Sequence, residues 1–191
     1  MQQIFNVLAG VLCVVAYVPY ILAIIRKRTK PMKSTWLIWA TLDTVTFAGM
    51  WSEGTVNGQI IGTVFGACTI AILTFKFGEH GWTLLDKLCL MGAVLGIGLW
   101  QVFDNPTLGI VTALSVVFLG SIPTFVSAWE DPTKEDRTAW MLYWLSCVCA
   151  LIAVPAWTIQ DAMQPITFFL IQSIMIFILI IRPRTLLKKV V

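Results

Sequence analysis

Asp43 is the residue of this chain whose chemistry most needs explaining. It lies in Trp39-Ala40-Thr41-Leu42-Asp43-Thr44-Val45, near the middle of an apolar run. An acid at the centre of a membrane-spanning helix costs about 2.5–3.5 kcal/mol on insertion scales, so such residues usually face a cavity and carry a function. The carboxyl is therefore a candidate coupling site for a proton or cation, or an acceptor for a polar solute. The competing account has it bonded to Thr44, Thr46 or a neighbouring helix.

Gln172 and Ser173 sit near the middle of the last apolar run, with Thr63 and Thr167 at matched depths in two runs and Gln59 and Gln164 nearer the rim. Polar groups arranged in this way suit a solute pocket. They also suit bonds between packed helices, worth about 0.6 kcal/mol each on average. Trp36 and Trp39, and again Trp140 and Tyr143, share the i, i+3 spacing that puts both rings on one helix face. Trp39 and Tyr143 are thus candidates for stacking on a solute or closing a gate, against the plainer account of interfacial anchoring. Trp51, Trp82, Trp100, Trp129 and Trp157 fall at the ends of runs, where an aromatic belt is expected. Pro19 and Pro123 each interrupt a helical hydrogen-bond ladder and are candidate hinges.

The elements that must position these side chains are membrane helices. In 191 residues, 58% are hydrophobic and 12% charged, against about 25% charged in soluble domains; mean hydropathy is +0.85. Crossing about 30 Å of hydrocarbon takes roughly 20 apolar residues. Such runs are Ile4–Ile25, Thr35–Ser52, Asn57–Phe75, Leu84–Phe103, Thr107–Trp129, Thr138–Trp157 and Ala162–Ile181. The turn formers lie between them, at Lys30-Pro31, Glu53-Gly54, Asn105-Pro106 and Asp131-Pro132 among others.

Basic residues set an orientation. Arg26–Lys33, Lys76 and Lys87, Lys134 and Arg137, and Arg182–Lys189 occupy alternate connections and the C-terminal tail, while the other connections and the N-terminus carry no Lys or Arg. Seven spans with the N-terminus outside and the C-terminus inside follow, and the basic loops are expected to meet anionic lipid.

The five cysteines all fall inside apolar runs and read as small packing residues, and the one histidine, His80, falls in a loop. No metal site, cofactor motif, nucleophile–base pair or nucleic-acid-binding pattern stands out, so an enzyme is not expected. The glycines Gly58, Gly62, Gly66, Gly92 and Gly96 read as close-packing faces.

The chain also repeats. At one offset Pro19 meets Pro123, Trp36 meets Trp140, Thr63 meets Thr167, Phe65 meets Phe169, and Thr29-Lys30 meets Thr133-Lys134. Residues 1–78 and 106–182 would each hold three helices, with 79–105 a linker helix and 183–191 a basic cytosolic tail. A single linker helix restores direction, so the two triplets run parallel, one of the known transporter designs.

With Tyr17-Val18-Pro19-Tyr20, a basic loop and Trp36/Trp39 in one copy, and Ser121-Ile122-Pro123-Thr124, a second charged loop and Trp140/Tyr143 in the other, the chain resembles the SWEET and PQ-loop transporter superfamily along essentially its whole length. It departs from the pattern in that Tyr20 and Thr124 follow the prolines where the superfamily has glutamine. The resemblance implies an all-α membrane protein of two parallel three-helix bundles joined by a linker helix (3+1+3). It also implies alternating access for a small polar solute, sugar-like or another metabolite, with proton coupling through Asp43 as the added expectation. The alternative is a non-transporting receptor of the same architecture, which would line an outward pocket with charge. The outer loops offer only Glu53, Asp104 and Asp161. Minimal loops and no Asn-x-Ser/Thr acceptor point to a bacterial inner membrane. Whether copies of the chain form a homo-oligomer is left open.

Overall fold

The computed structural model describes residues 1–28, 31, 33–78, 84–132 and 135–182. His80, Trp82, the 183–191 tail and the pairs Thr29-Lys30 and Thr133-Lys134 lie outside them. Among the described residues the fold is all helical: α1 (Gln2–Ile25), α2 (Lys33–Ser52), α3 (Gly58–Phe77), α4 (Leu84–Phe103), α5 (Pro106–Gly120), α6 (Ile122–Glu130), α7 (Arg137–Ala153) and α8 (Ile159–Ile176), which runs on as a π-helical turn over Phe177–Ile181. Four stretches are long and apolar enough to cross a membrane: Gln2–Ile25, Gly58–Phe77, Pro106–Glu130 and Ile159–Ile181. The apolar helices Lys87–Phe103 and Arg137–Ala153 are shorter. α2 has the length, and carries Asp43, Thr41, Thr44 and Thr46 in its sequence.

Helix starts are set by local chemistry. Asn57, Asn105, Asp136 and Thr158 cap α3, α5, α7 and α8, each accepting a hydrogen bond from a backbone N–H of the first turn. Two places differ from the sequence reading, and each lies just before a proline. The span expected to reach Trp157 stops at Ala153, because Val154 precedes Pro155 and takes an extended ψ of 118°. The span expected from Thr107 to Trp129 is one apolar stretch over Pro106–Glu130. Two residues before Pro123 its regular pattern is interrupted for a single residue at Ser121, which keeps a helical backbone and donates its N–H to the Val117 carbonyl. Proline cannot donate to the carbonyl four residues back. Pro19, by contrast, sits inside an unbroken α1.

Packing closes six of these rods into a ring. α3 lies between α1 and α2, α8 lies between α7 and α5, and the ring is completed by α1 against α7 and α2 against α5. α4 packs outside it on α5 and α2. Small residues allow the close approaches. A Cβ on Gly58 would strike the Asn6 carbonyl, one on Gly10 would lie 2.8 Å from the Gly58 carbonyl oxygen, and one on Gly92 would lie 2.5 Å from Val116. The largest buried cluster joins α2, α5 and α8 through Leu42, Ile110, Leu114 and Phe168. The outside of the ring is apolar: Val7, Val11, Ile61, Phe65 and Ile72 are all exposed, a surface suited to lipid rather than water. Trp51 and Trp157, both at ends of runs, are exposed as well.

Candidate functional site

The ring surrounds an open-mouthed cavity of about 710 Å³, within the size range of small-molecule sites. Aromatic side chains dominate its wall. From α1 come Tyr17 and Tyr20, from α2 Trp36 and Trp39, and from α7 Trp140 and Tyr143. The rings interlock. Tyr17 meets Trp36 and Tyr143 edge-on at centroid separations of 6.5 and 5.9 Å, Trp36 meets Trp39 at 5.4 Å, and Tyr143 leans on Phe168 at 6.3 Å. Edge-to-face pairs at such separations hold one another's orientation. The i, i+3 spacing of each pair thus turns two aromatic faces, one from each half of the chain, toward one space.

Glycine makes room for this wall. A Cβ on Gly66 of α3 would overlap the Tyr17 ring, so that ring can lie flat on α3 only because position 66 has no side chain.

Polar groups are few. Gln172 is 8% exposed, lines the cavity, and its side-chain carbonyl oxygen has no hydrogen-bond partner. Ser121 and Thr124 line the neighbouring wall, where α5 passes into α6. Glu135, in the segment between α6 and α7, stands at one end, where it accepts a 2.9 Å hydrogen bond from the Trp140 indole N–H. Burial raises the Glu135 carboxyl above the usual 4.5, and the indole N–H draws it part of the way back.

Asp43 does not line the cavity: it is 5% exposed, one and two turns along α2 from Trp39 and Trp36, with Tyr17, Tyr143 and Cys13 within electrostatic reach. No hydrogen bond to another described residue reaches its carboxyl, so Thr44 and Thr46 are not its partners: they donate to the carbonyls of Ala40 and Leu42.

The remaining residues singled out in the sequence separate. Thr63 leaves the cavity wall to share hydrogen bonds with Tyr143 Oη (2.7 Å) and Cys13 Sγ (3.3 Å). Ser173 accepts from the Trp144 indole at 3.0 Å, on a different side of α8 from Gln172. Thr167 is partly exposed and lies off the cavity lining. Pro19 lies between Tyr17 and Tyr20 on α1, and Pro123 at the start of α6, so both sit at the level of the cavity.

At the end holding the N-terminus a second group of polar residues does what the sequence alone did not indicate. Asn57 Nδ2 donates to Gln164 Oε1 at 2.7 Å, Gln164 Nε2 to Gln59 Oε1 at 3.1 Å, Gln59 Nε2 to Ser146 Oγ at 3.0 Å, and Ser146 Oγ to the Ala9 carbonyl at 2.7 Å. Asn6 Oδ1 accepts from the Gly58 N–H at 2.6 Å. This chain of bonds ties α1, α3, α7 and α8 together, and Gln59, Gln164 and Ser146 have no exposed surface. Beyond it lies a vestibule of about 220 Å³ bordered by Gln2, Asn6, Asn57 and Asp161. The molecule therefore has a large aromatic cavity toward one end, a small polar vestibule at the other, and a bonded layer between.

Comparison of the chain with protein-family models, with curated proteins and with solved structures finds no match.

Proposed function

We propose that the chain is a membrane carrier that moves a small solute by alternating access between two parallel three-helix bundles. In this reading α1–α3 form one bundle, α5–α8 the other, and α4 links them, with the N-terminus outside the cell and the C-terminus in the cytosol. The observation that carries the reading is the pairing of the large cavity with a hydrogen-bonded seal at its far end. A receptor needs a pocket but not a second vestibule behind a seal; a carrier needs both. On this division α1 against α7 and α2 against α5 are the two seams along which one triplet meets the other.

On the proposed orientation the cavity faces the cytosol, because Pro31 and Glu135, at its mouth, belong to connections that carry basic residues. The cytosolic ends would be held by basic groups on aromatic rings. Lys33 lies 4.0 Å over Phe75, and Arg182 lies 3.9 Å over Trp129 and donates to its carbonyl at 2.6 Å. Such ends suit a leaflet rich in anionic lipid, in a bacterial inner membrane.

Transport would proceed by rocking of the bundles. The Asn57–Gln164–Gln59–Ser146 layer opens as the aromatic faces close, and Pro19 and the Ser121–Pro123 segment absorb the bend. Asp43, a carboxyl near the bundle seam with no hydrogen-bond partner among the described residues, is the group placed to couple a proton. The experiment is flux in reconstituted vesicles, on solutes first chosen by thermal shift from sugars, amino acids and nucleosides. The wild type accumulates a solute under a pH gradient, and Asp43→Asn expresses normally but loses that dependence. Undiminished gradient-driven uptake by Asp43→Asn would remove Asp43 from the mechanism, and no flux of any binding solute would remove transport.

A further inference from the structure

The cavity has a chemical preference that its shape alone does not reveal, and the inference rests on the carrier reading of the same site. The charged groups at and near it are all acidic, while its hydroxyls, indoles and the Gln172 amide can donate as well as accept. The unpartnered carbonyl oxygen of Gln172 is an acceptor, the Glu135 carboxyl is at the mouth, and the Asp43 carboxyl, which does not itself line the cavity, is one turn along α2 from Trp39. Among the described residues no Lys, Arg or His lines the space. The wall is made of aromatic faces, whose quadrupoles present negative charge to whatever lies on them. A cation over such a face within about 6 Å of the ring centroid is attracted, more strongly where water is excluded.

We propose that this cavity selects a monovalent organic cation, an ammonium or a cationic nitrogen heterocycle, held by the Tyr17–Trp36–Trp39–Tyr143 rings with an N–H or polarised C–H directed at the Gln172 carbonyl oxygen. A solute that also carries a carboxylate or phosphate is disfavoured, since no described lining residue brings a positive charge to the negative group. A cation is favoured over a neutral sugar because the charged groups at and near the site are acidic and its ring faces attract positive charge. The volume leaves room for a cation considerably larger than tetramethylammonium.

The test uses the full-length protein in detergent and in vesicles, and compares choline with its neutral carbon isostere, in which the quaternary nitrogen is replaced by carbon. Benzylammonium, benzyltrimethylammonium, benzoate and glucose complete the set. Binding is read by calorimetry and by quenching of tryptophan fluorescence. The cations bind, with the neutral isostere weaker by roughly tenfold or more, and benzoate and glucose do not compete. Trp39→Phe keeps a ring and retains most of the affinity, Trp39→Leu loses several-fold, and Gln172→Leu weakens the cations that carry an N–H more than the quaternary ones. Equal affinity for choline and its isostere, or binding of glucose or benzoate in place of the cations, overturns the cation preference while leaving the carrier reading intact. Cation binding without flux in vesicles upholds the site and overturns transport instead.

Discussion

Gln164→Leu tests the seal. Gln164 bridges two partners: its Oε1 accepts from Asn57 and its Nε2 donates to Gln59. Both contacts cross between α8 and the α3 end of the molecule, and Gln164 and Gln59 have no exposed surface. Leucine fills much the same volume, so packing is largely kept and the loss is that of the bonds. At about 0.6 kcal/mol for an average interhelical bond in a membrane protein, two bonds are worth about 1.2 kcal/mol. If the orphaned groups of Gln59 and Asn57 stay dry, the cost is nearer 2 kcal/mol. At about 1.4 kcal/mol per factor of ten, the open form of this end gains roughly sevenfold to thirtyfold in population. The assay is thiol labelling. Cys13 and Cys147 are fully buried, Cys147 touching the layer through Gln59 and Cys13 lying just behind it through Thr63. In a variant that keeps only these two cysteines, a membrane-impermeant maleimide added outside labels the Gln164→Leu protein faster by about that factor. Equal labelling rates with and without Gln164 would show that the layer is not a closure and would refute the reasoning.

Three further outcomes follow from single contacts. Gly66→Ala drives a methyl into the Tyr17 ring, which should cost about 1–3 kcal/mol as overpacking and weaken solute binding more than it lowers the melting temperature relative to a control such as Gly98→Ala, where nothing lies within reach of the new methyl. Because the Glu135 carboxyl is raised in the folded protein above 4.5, the stability linked to its protonated form is present below that value and is lost as pH rises through the raised one. Thermal unfolding of wild type and Glu135→Gln across this range should show wild type falling relative to the variant as pH increases, and parallel curves would contradict the assignment. Asp136→Ala removes the cap on the Ala139 N–H, which should cost about 1 kcal/mol in unfolding measurements without changing solute affinity.

How much could be read from the sequence depended on whether a feature was local. Apolar runs, capping residues and the i, i+3 aromatic pairs are local, and each apolar run has a helix along most of its length. A helix end differs where proline acts through its neighbour, at Val154 before Pro155. Similar prolines also act differently: Pro19 is carried within an uninterrupted α1, while Pro123 follows a one-residue interruption at Ser121. Whether a missing hydrogen bond is absorbed or opens a turn depends on the packing around it. Asp43 stood out because an acid in an apolar run is conspicuous. Tyr17, Glu135 and the Asn6–Asn57–Ser146 set did not, because their significance lies in partners dozens of residues away. One signal was available. Asn6, Ala9, Cys13, Ala16, Tyr17 and Tyr20 recur at three- and four-residue spacing, a small-and-polar stripe on an otherwise lipophilic helix. That stripe is the face of α1 turned to the ring interior.

The central claim is that the two ends open in alternation, and distances measured across both ends in one sample test it most directly. Spin labels at Thr35 and Ala139 would span the cavity mouth between α2 and α7, and labels at Thr55 and Ala153 would span the vestibule. In lipid nanodiscs, each pair should give two distance populations, and saturating solute or a change of pH should lengthen one pair as it shortens the other. A single distribution at each end, unmoved by any solute that binds, would contradict the account.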